Sequence, residues 1–391
     1  MRKGLLMKHS MITAVLVFFC LLAGQLLSGP APQGTQDPPH HFVMADPADV
    51  GIEAKTLKIF SEKVQALVDD GEAVGAIITI IKDRKIVLHE AHGWADKEFK
   101  RPMQTDTICR MRSMTKPFVG TSILMLAERD KLAITDKVSK YVPSFRNDKC
   151  RDITIEQFLT HTGGYDQPGY PAGANVYPDL ASLVEKIGEI GPTHVPGDRY
   201  NYSDAGSSTL AHVVSVVSGM PAEDFIRTNI IDPLGLGDTD CNMFKDNPLR
   251  PCVSSTYRRM GNNWMKYWVN TIRQAVPYFR GSGGMYSTTL DYAKFLAMWM
   301  DKGESGGKRF LSPEMVETAL SPSSQSVRGN EGYGYQWQIF RESDGVFGHG
   351  GSDGTVAIAS PKDDLMFLCF TQSRGGSAVS QMRSLFLEVF F

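Results

Sequence analysis

Residues 112–117 read Arg-Ser-Met-Thr-Lys-Pro, and residues 118–132 continue as FVGTSILMLAERDKL, an apolar run that ends in charged residues. Such a run has the length and composition of a buried helix. Pro117 is tolerated only in a first helical turn, where its missing N–H has no partner to lose. Ser113 and Lys116 therefore stand at the start of that helix, three residues apart and on one face. The pair sets an amine beside a hydroxyl, at a helix end whose dipole favours developing negative charge. Ser-x-x-Lys is a frequent chance pattern, so its meaning depends on what stands elsewhere in the chain.

Two other segments place polar groups in turn-like settings. Tyr202-Ser203-Asp204 precede a helix-like run at 207–217. There Ser203 or Asp204 would cap the helix, and Tyr202 would either pack or project into a cleft. Phe347-Gly348-His349-Gly350-Gly351-Ser352-Asp353-Gly354 stand just before a β-rich run at 355–360. Glycines at a strand edge let a substrate backbone or acyl group come close, the simpler reading being a glycine-rich turn.

The β-rich runs 74–81 and 85–90 are joined by Lys82-Asp83-Arg84, and a second hairpin spans 355–360 and 365–371 around Pro361-Lys362-Asp363-Asp364. The last fifteen residues read as a closing helix. Helical spacing marks 180–190, 207–217 and 287–301, and the stretch from about 133 to 280 reads as mostly helical with Pro/Gly breaks. Strands at both ends with helices between predict an α/β (α+β) fold. An antiparallel sheet is built from both chain ends and flanked by helices, with a mostly helical inserted lobe. The α/β lobe covers about 45–120 and 281–391, and the helical lobe about 121–280.

Composition sets the outer limits. The chain has 391 residues with 41 Lys+Arg, 43 Asp+Glu, 42% hydrophobic and 21% charged residues. That is ample for a large core and excludes a disordered, collagen-like or disulfide-dense chain. No long basic block points to nucleic acid or an anionic membrane surface. Residues 1–31 carry Arg2, Lys3 and Lys8, no acid, and the apolar run ITAVLVFFCLLAG at 12–24. They read as a secretory signal peptide, the rival being an uncleaved anchor. Its removal leaves 38 basic against 43 acidic residues, a net −5. Residues 32–44 begin PQGTQDPPHH and read as a linker to a domain spanning 45–391. The expected address is exported, periplasmic or secreted, where disulfides are permitted. Five cysteines remain, an odd number; Cys241 and Cys252 could close a short loop, but most of the five read as buried free thiols.

In their joint order the motifs SMTK, YSD and HGG resemble those of the serine β-lactamase-like family, in its class C β-lactamase, D-alanyl-D-alanine carboxypeptidase and esterase branch. That family runs S-x-x-K, then Y-x-N or Y-S-x, then K-T-G or H-x-G. Residues 158–165 (FLTHTGGY), 281–291 (GSGGMYSTTLD) and 333–337 (YGYQW) are similar to further family stretches, and the likeness runs from about residue 45 to the C-terminus. The resemblance implies a penicillin-binding-protein-like fold and an acyl-enzyme mechanism. Ser113 would be the nucleophile, with Lys116 and Tyr202 moving protons. The backbone N–H groups of Ser113 and Ser352 would form the oxyanion hole, and Asp204, His349, Gly350 and Gly351 would contact substrate. It implies no metal or cofactor. A serine hydroxyl is inert until a base takes its proton. Lys116 and Tyr202 have reference pKa values of about 10.4 and 10, so work near neutrality needs a displacement of roughly three pH units, about 4 kcal/mol. Which of the two is the base in each step stays open.

Two departures narrow the expected substrate. The third-motif lysine and the hydroxyl beside it, which hold a lactam carboxylate in β-lactamases of this kind, are His349 and Gly350 here. The second-motif asparagine is Asp204, which accepts hydrogen bonds but cannot donate, and which could instead pair with Lys116 and hold it charged. The reading is an exported, esterase-like serine hydrolase taking a small-molecule ester, peptide or lactam. The alternatives are a D-amino-acid peptidase or carboxypeptidase, a weak β-lactamase, and a catalytically silent binding protein of the same fold. No nucleic-acid partner is expected, nor a membrane beyond an uncleaved anchor. His161 reads as a hydrogen-bonded turn residue, and the aromatics Trp264, Tyr267, Trp268, Tyr278 and Phe279 as packing residues or the wall of an acyl pocket.

Overall fold

The computed structural model describes residues 41–391 apart from 171–172, 244–245, 270–275, 323–331 and 342–344. The signal-like segment 1–31 lies outside the described residues, as does the linker as far as residue 40. The fold begins with β1 (Val43–Met44) and α1 (Ala54–Asp69), followed by β2 (Gly75–Lys82) and β3 (Lys85–Asp96). Val43 and Met44, read from sequence as linker, pair in parallel with Lys85 and Ile86. A two-residue strand has no periodicity for a sequence reading to find. β2 and β3 close as a hairpin with Lys82 opposite Lys85. Asp83 and Arg84 sit at φ +51° and +61°, the paired left-handed conformation of a two-residue turn that matches strand twist.

The middle of the chain supplies α2 (Lys116–Glu128), α3 (Leu180–Ile190) and α4 (Asp204–Ser218), then β4 (Thr256–Met260) and β5 (Asn263–Trp268). The last two are a correction to the mostly helical reading of 133–280. TYRRM and NWMKYW are rich in aromatic and alternating residues around a turn with Gly261 at φ +60°. Their short period-2 pattern is hidden by the helices that precede it. The chain ends with α5 (Thr289–Met300), β6 (Gly332–Tyr333), β7 (Gln338–Arg341), β8 (Val346–Gly351), β9 (Thr355–Ser360), β10 (Leu365–Phe370) and α6 (Ala378–Phe390).

One mixed sheet runs β1-β3-β2-β10-β9-β8-β7-β6, and all its pairs after the first are antiparallel. The two chain ends meet at its centre, where Ile77 of β2 faces Phe370 of β10. Along β10 the side chains alternate between two cores. Leu365, Phe367 and Cys369 pack with Phe60 and Val64 of α1 and Phe386 of α6. Met366, Leu368 and Phe370 pack with Phe295 and Trp299 of α5. Because helices cover both faces, every residue of β9 and β10 is buried. Among the described residues five cysteines are free, four of them buried and Cys252 exposed, so Cys241 and Cys252 close no loop. Among the described residues no helix is long and apolar enough to cross a membrane.

Candidate active site

The first turn before α2 tightens into a 3-10 helix over Arg112–Thr115, and the α-helix starts at Lys116 with Pro117 in its first turn. Ser113 is thus presented from a helix end, partly exposed, while Lys116 is fully buried. Lys116 Nζ lies 3.4 Å from Ser113 Oγ and donates to Asp204 Oδ1 at 2.7 Å and to the Ser282 carbonyl at 3.3 Å. It also sits 4.6 Å from the centre of the Tyr202 ring. α2 can hold a cation here only because that cation is paired and hydrogen-bonded.

Asp204 is the first residue of α4, capped by the Ser203 side chain, and its N–H donates to Gln167 Oε1. A carboxylate at a helix N-terminus is favourably placed. Burial alone would lower the Lys116 pKa, but the Asp204 carboxylate and the Tyr202 oxygen beside it hold it above its ordinary value. Burial alone would raise Asp204, and the charges of Lys116 and then Arg280 hold it below the usual carboxylate range. Both directions describe one ion pair, ionised on both sides through neutral pH.

The third motif arrives on β8. A Cβ added to Gly351 would lie 2.3 Å from the Met111 carbonyl oxygen, so only glycine permits this strand to lie against the segment leading to Ser113. Gly350 is less crowded, with its nearest neighbour, the Thr355 oxygen, 3.6 Å from an added Cβ. Gly350 N–H donates to Gln338 Oε1 at 3.1 Å. Ser352 follows, exposed, in the turn between β8 and β9.

His349 is buried and joins a chain of hydrogen bonds that the sequence did not reveal. Ser203 N–H faces His161 Nδ1 at 3.3 Å, and His161 Nε2 meets Tyr333 Oη at 3.2 Å. Tyr333 Oη meets His349 Nε2 at 3.0 Å, and His349 Nδ1 meets the Gly350 carbonyl at 2.7 Å. A backbone N–H only donates and a carbonyl only accepts, so the two ends fix every direction between them. His161 Nε2–H donates to Tyr333, whose O–H donates to His349, whose Nδ1–H donates to Gly350. Both histidines are neutral. Burial, then the Lys116 charge, pushes His349 down to about 3, and the same two causes lead in pushing His161 well below its usual value. Both ring nitrogens of each are engaged within the protein.

Sequence reasoning placed His161 in a hydrogen-bonded turn and left Tyr333 without a role. The family-like YGYQW stretch was the available signal, but nothing local in it points to residue 349. Of the aromatic stretch, Trp264 donates to the Gly71 carbonyl, Trp268 packs on Tyr286, and Tyr278 donates to the Ala174 carbonyl. Tyr267 instead donates to Asp353, beside Ser352.

The Beta-lactamase family model matches residues 60–387, most of the chain. The protein belongs to the β-lactamase family. This family member is 30% identical over 250 residues to the putative penicillin-binding protein PbpX of Bacillus subtilis (strain 168), a match covering 64% of this chain and 59% of PbpX. It is 30% identical over 228 residues to the esterase EstB of Burkholderia gladioli, covering 53% of this chain and 57% of EstB. The match therefore spans less than two thirds of either relative. The solved structure of EstCE1, described as a hydrolase with promiscuous acyltransferase activity, shares the fold with a TM-score of 0.74 at 20% identity, over 84% of this chain and 98% of that one.

Proposed function

We propose that this β-lactamase-family protein is a serine hydrolase that acts by acyl transfer, with esters as its preferred substrates. The observation that carries the reading is the contact of a fully buried Lys116 with Ser113 at 3.4 Å, beside the ring of Tyr202. Ser113 Oγ attacks the ester carbonyl, and its proton passes to the oxygen of Tyr202, which acts as a phenolate and becomes the phenol. A charged Lys116 cannot accept that proton; its ammonium instead stabilises the negative charge on the groups around it. The carbonyl oxygen, now an oxyanion, takes hydrogen bonds from the backbone N–H groups of Ser113 and Ser352. Tyr202 returns the proton to the leaving alkoxide, and water then releases the acyl group by the same steps in reverse.

The preference for esters follows from the charge at the third motif. A neutral His349 with both nitrogens engaged and a Gly350 without a hydroxyl offer a lactam carboxylate no cation and no donor side chain there. Asp204 is paired to Lys116 and has no N–H to give a substrate amide carbonyl. The name of the relative EstB agrees with this preference.

The test uses the full chain and its Ser113→Ala variant with a serine-directed fluorophosphonate, a short-chain aryl ester and a chromogenic cephalosporin. Labelling and ester turnover are expected for the wild type and for neither in S113A. An unlabelled wild type rejects the acyl-enzyme reading. Cephalosporin turnover as fast as ester turnover rejects the preference.

A further inference from the structure

The acyl-transfer scheme leaves one buried cluster without a task. Asp353, one residue after Ser352, is fully buried, and Arg112, one residue before Ser113, donates from Nε to Asp353 Oδ2 at 2.9 Å. Tyr267 of β5 donates to Asp353 Oδ1, and its oxygen lies 3.4 Å from Arg112 Nη2. Arg110 and Arg374 bring further positive charge to 3.7 and 3.8 Å from the same carboxylate. The ion pair thus joins the immediate neighbours of the two residues whose N–H groups would hold the oxyanion.

The backbone on each side is specialised. Gly354 N–H donates to the Gly351 carbonyl at 3.0 Å, closing a four-residue turn with Ser352 and Asp353 at its centre. On the other side Arg112 holds φ +51°, a left-handed conformation that favours glycine. A side chain is kept at such a position when its contacts outweigh the strain, and Arg112 contacts Asp353 and its tyrosine. The pair is charge-assisted and shielded from solvent, which makes it short and directional.

We propose that Arg112 and Asp353 are positioning residues of the oxyanion hole: their ion pair sets the separation and aim of the Ser113 and Ser352 backbone N–H groups, with Tyr267 orienting the carboxylate. The proposal rests on the acyl-transfer reading above. Neither side chain touches substrate; both act through the backbone next to them. A displacement of a donor by a fraction of an ångström weakens the transition state more than the bound ester, because the oxyanion exists only in the former.

The experiment compares wild type with Arg112→Gly, Arg112→Lys, Asp353→Asn and Tyr267→Phe in the full chain. It reads kcat and KM for an aryl ester, the Ki of a phenylboronic acid that forms a tetrahedral adduct on Ser113, and the melting temperature. For R112G and D353N kcat is expected to fall about 10- to 100-fold and the boronate Ki to rise by a similar factor, with KM within about twofold. Glycine accepts φ +51° without strain, so R112G removes the ion pair while relieving the backbone, and R112K restores part of the kcat by returning the cation. A purely structural role would move the melting temperature and leave kcat and Ki of the folded variants unchanged, and that result overturns the proposal. Should D353N fail to melt cooperatively, R112G and Y267F decide. A wild type that fluorophosphonate does not label rejects the acyl-transfer reading, and this one with it. A labelled wild type with an unaltered R112G rejects this proposal alone.

Discussion

Lys116 has no solvent to share its charge with, so the residue that faces it determines its state. Desolvation pushes a buried ammonium toward neutrality, and Asp204 at 2.7 Å reverses that push. In Asp204→Asn the desolvation is opposed far less, and the Lys116 pKa falls. The alkaline limb of the pH profile of kcat/KM is expected to move to lower pH; an unmoved limb would show that Lys116 does not govern it. Removing one member of a buried pair costs about 3–5 kcal/mol, measurable by urea unfolding at pH 7. The sign follows from the two directions. A lowered Asp204 contributes stability that is complete above the ordinary carboxyl pKa of about 4 and is lost as pH falls toward its depressed value. A raised Lys116 contributes stability that is complete below about 10.4 and is lost as pH rises past that value. The deficit of D204N is therefore expected to be largest between those limits and to shrink in acid.

At the scale of elements, the chain from Ser203 through His161, Tyr333 and His349 to Gly350 ties the start of α4 to the end of β8. It holds motif segments about 150 residues apart in sequence in one register, and every member is satisfied. Tyr333→Phe leaves a donor on His161 and an acceptor on His349 unmet, at about 1–3 kcal/mol for each orphaned group. Chemical denaturation is expected to show that loss; a variant as stable as wild type would mean that the chain carries no load. The neutral His349 also makes a pH prediction. Its pKa is held down to about 3 in the folded state, so below about 6.5 the unfolded chain binds the extra proton and stability falls with pH. His349→Gln is expected to flatten that slope, read as unfolding free energy between pH 7 and pH 4. His161 shows how far sequence carried this element: its turn and hydrogen bonding were legible, and its partner was not.

For the whole molecule, the decisive contact is the meeting of the two chain ends. β2 and β10 pair at the centre of the sheet, and this brings Gly351 against Met111, two residues before Ser113. A methyl group at 351 would lie 2.2 Å from Thr355 Oγ1 and 2.3 Å from the Met111 oxygen, whereas one at 350 finds no atom closer than 3.6 Å. Gly351→Ala is accordingly expected to cost more than about 100-fold in ester turnover and to lower the melting temperature. Gly350→Ala is expected to fold normally and keep its turnover within about tenfold. Equal behaviour of the two variants would show that close approach at 351 does not shape the site.

Local pattern was enough to place Ser113 and Lys116 on one face, because Pro117 admits only a helix start and three residues make one turn. It was enough as well for both terminal hairpins, whose period-2 runs and turn residues are contiguous. The β4–β5 hairpin escaped because its signal is short and lies beside long helical stretches. The ionisation of Lys116 and the pairing of His161 with Tyr333 were decided only in the tertiary structure, as was the ion pair of Arg112 with Asp353. Charge state depends on burial and on the nearest partner, and those partners stand 88, 172 and 241 residues away along the chain. Residue type and local spacing are properties of a segment, whereas the electrostatic environment belongs to the packed whole.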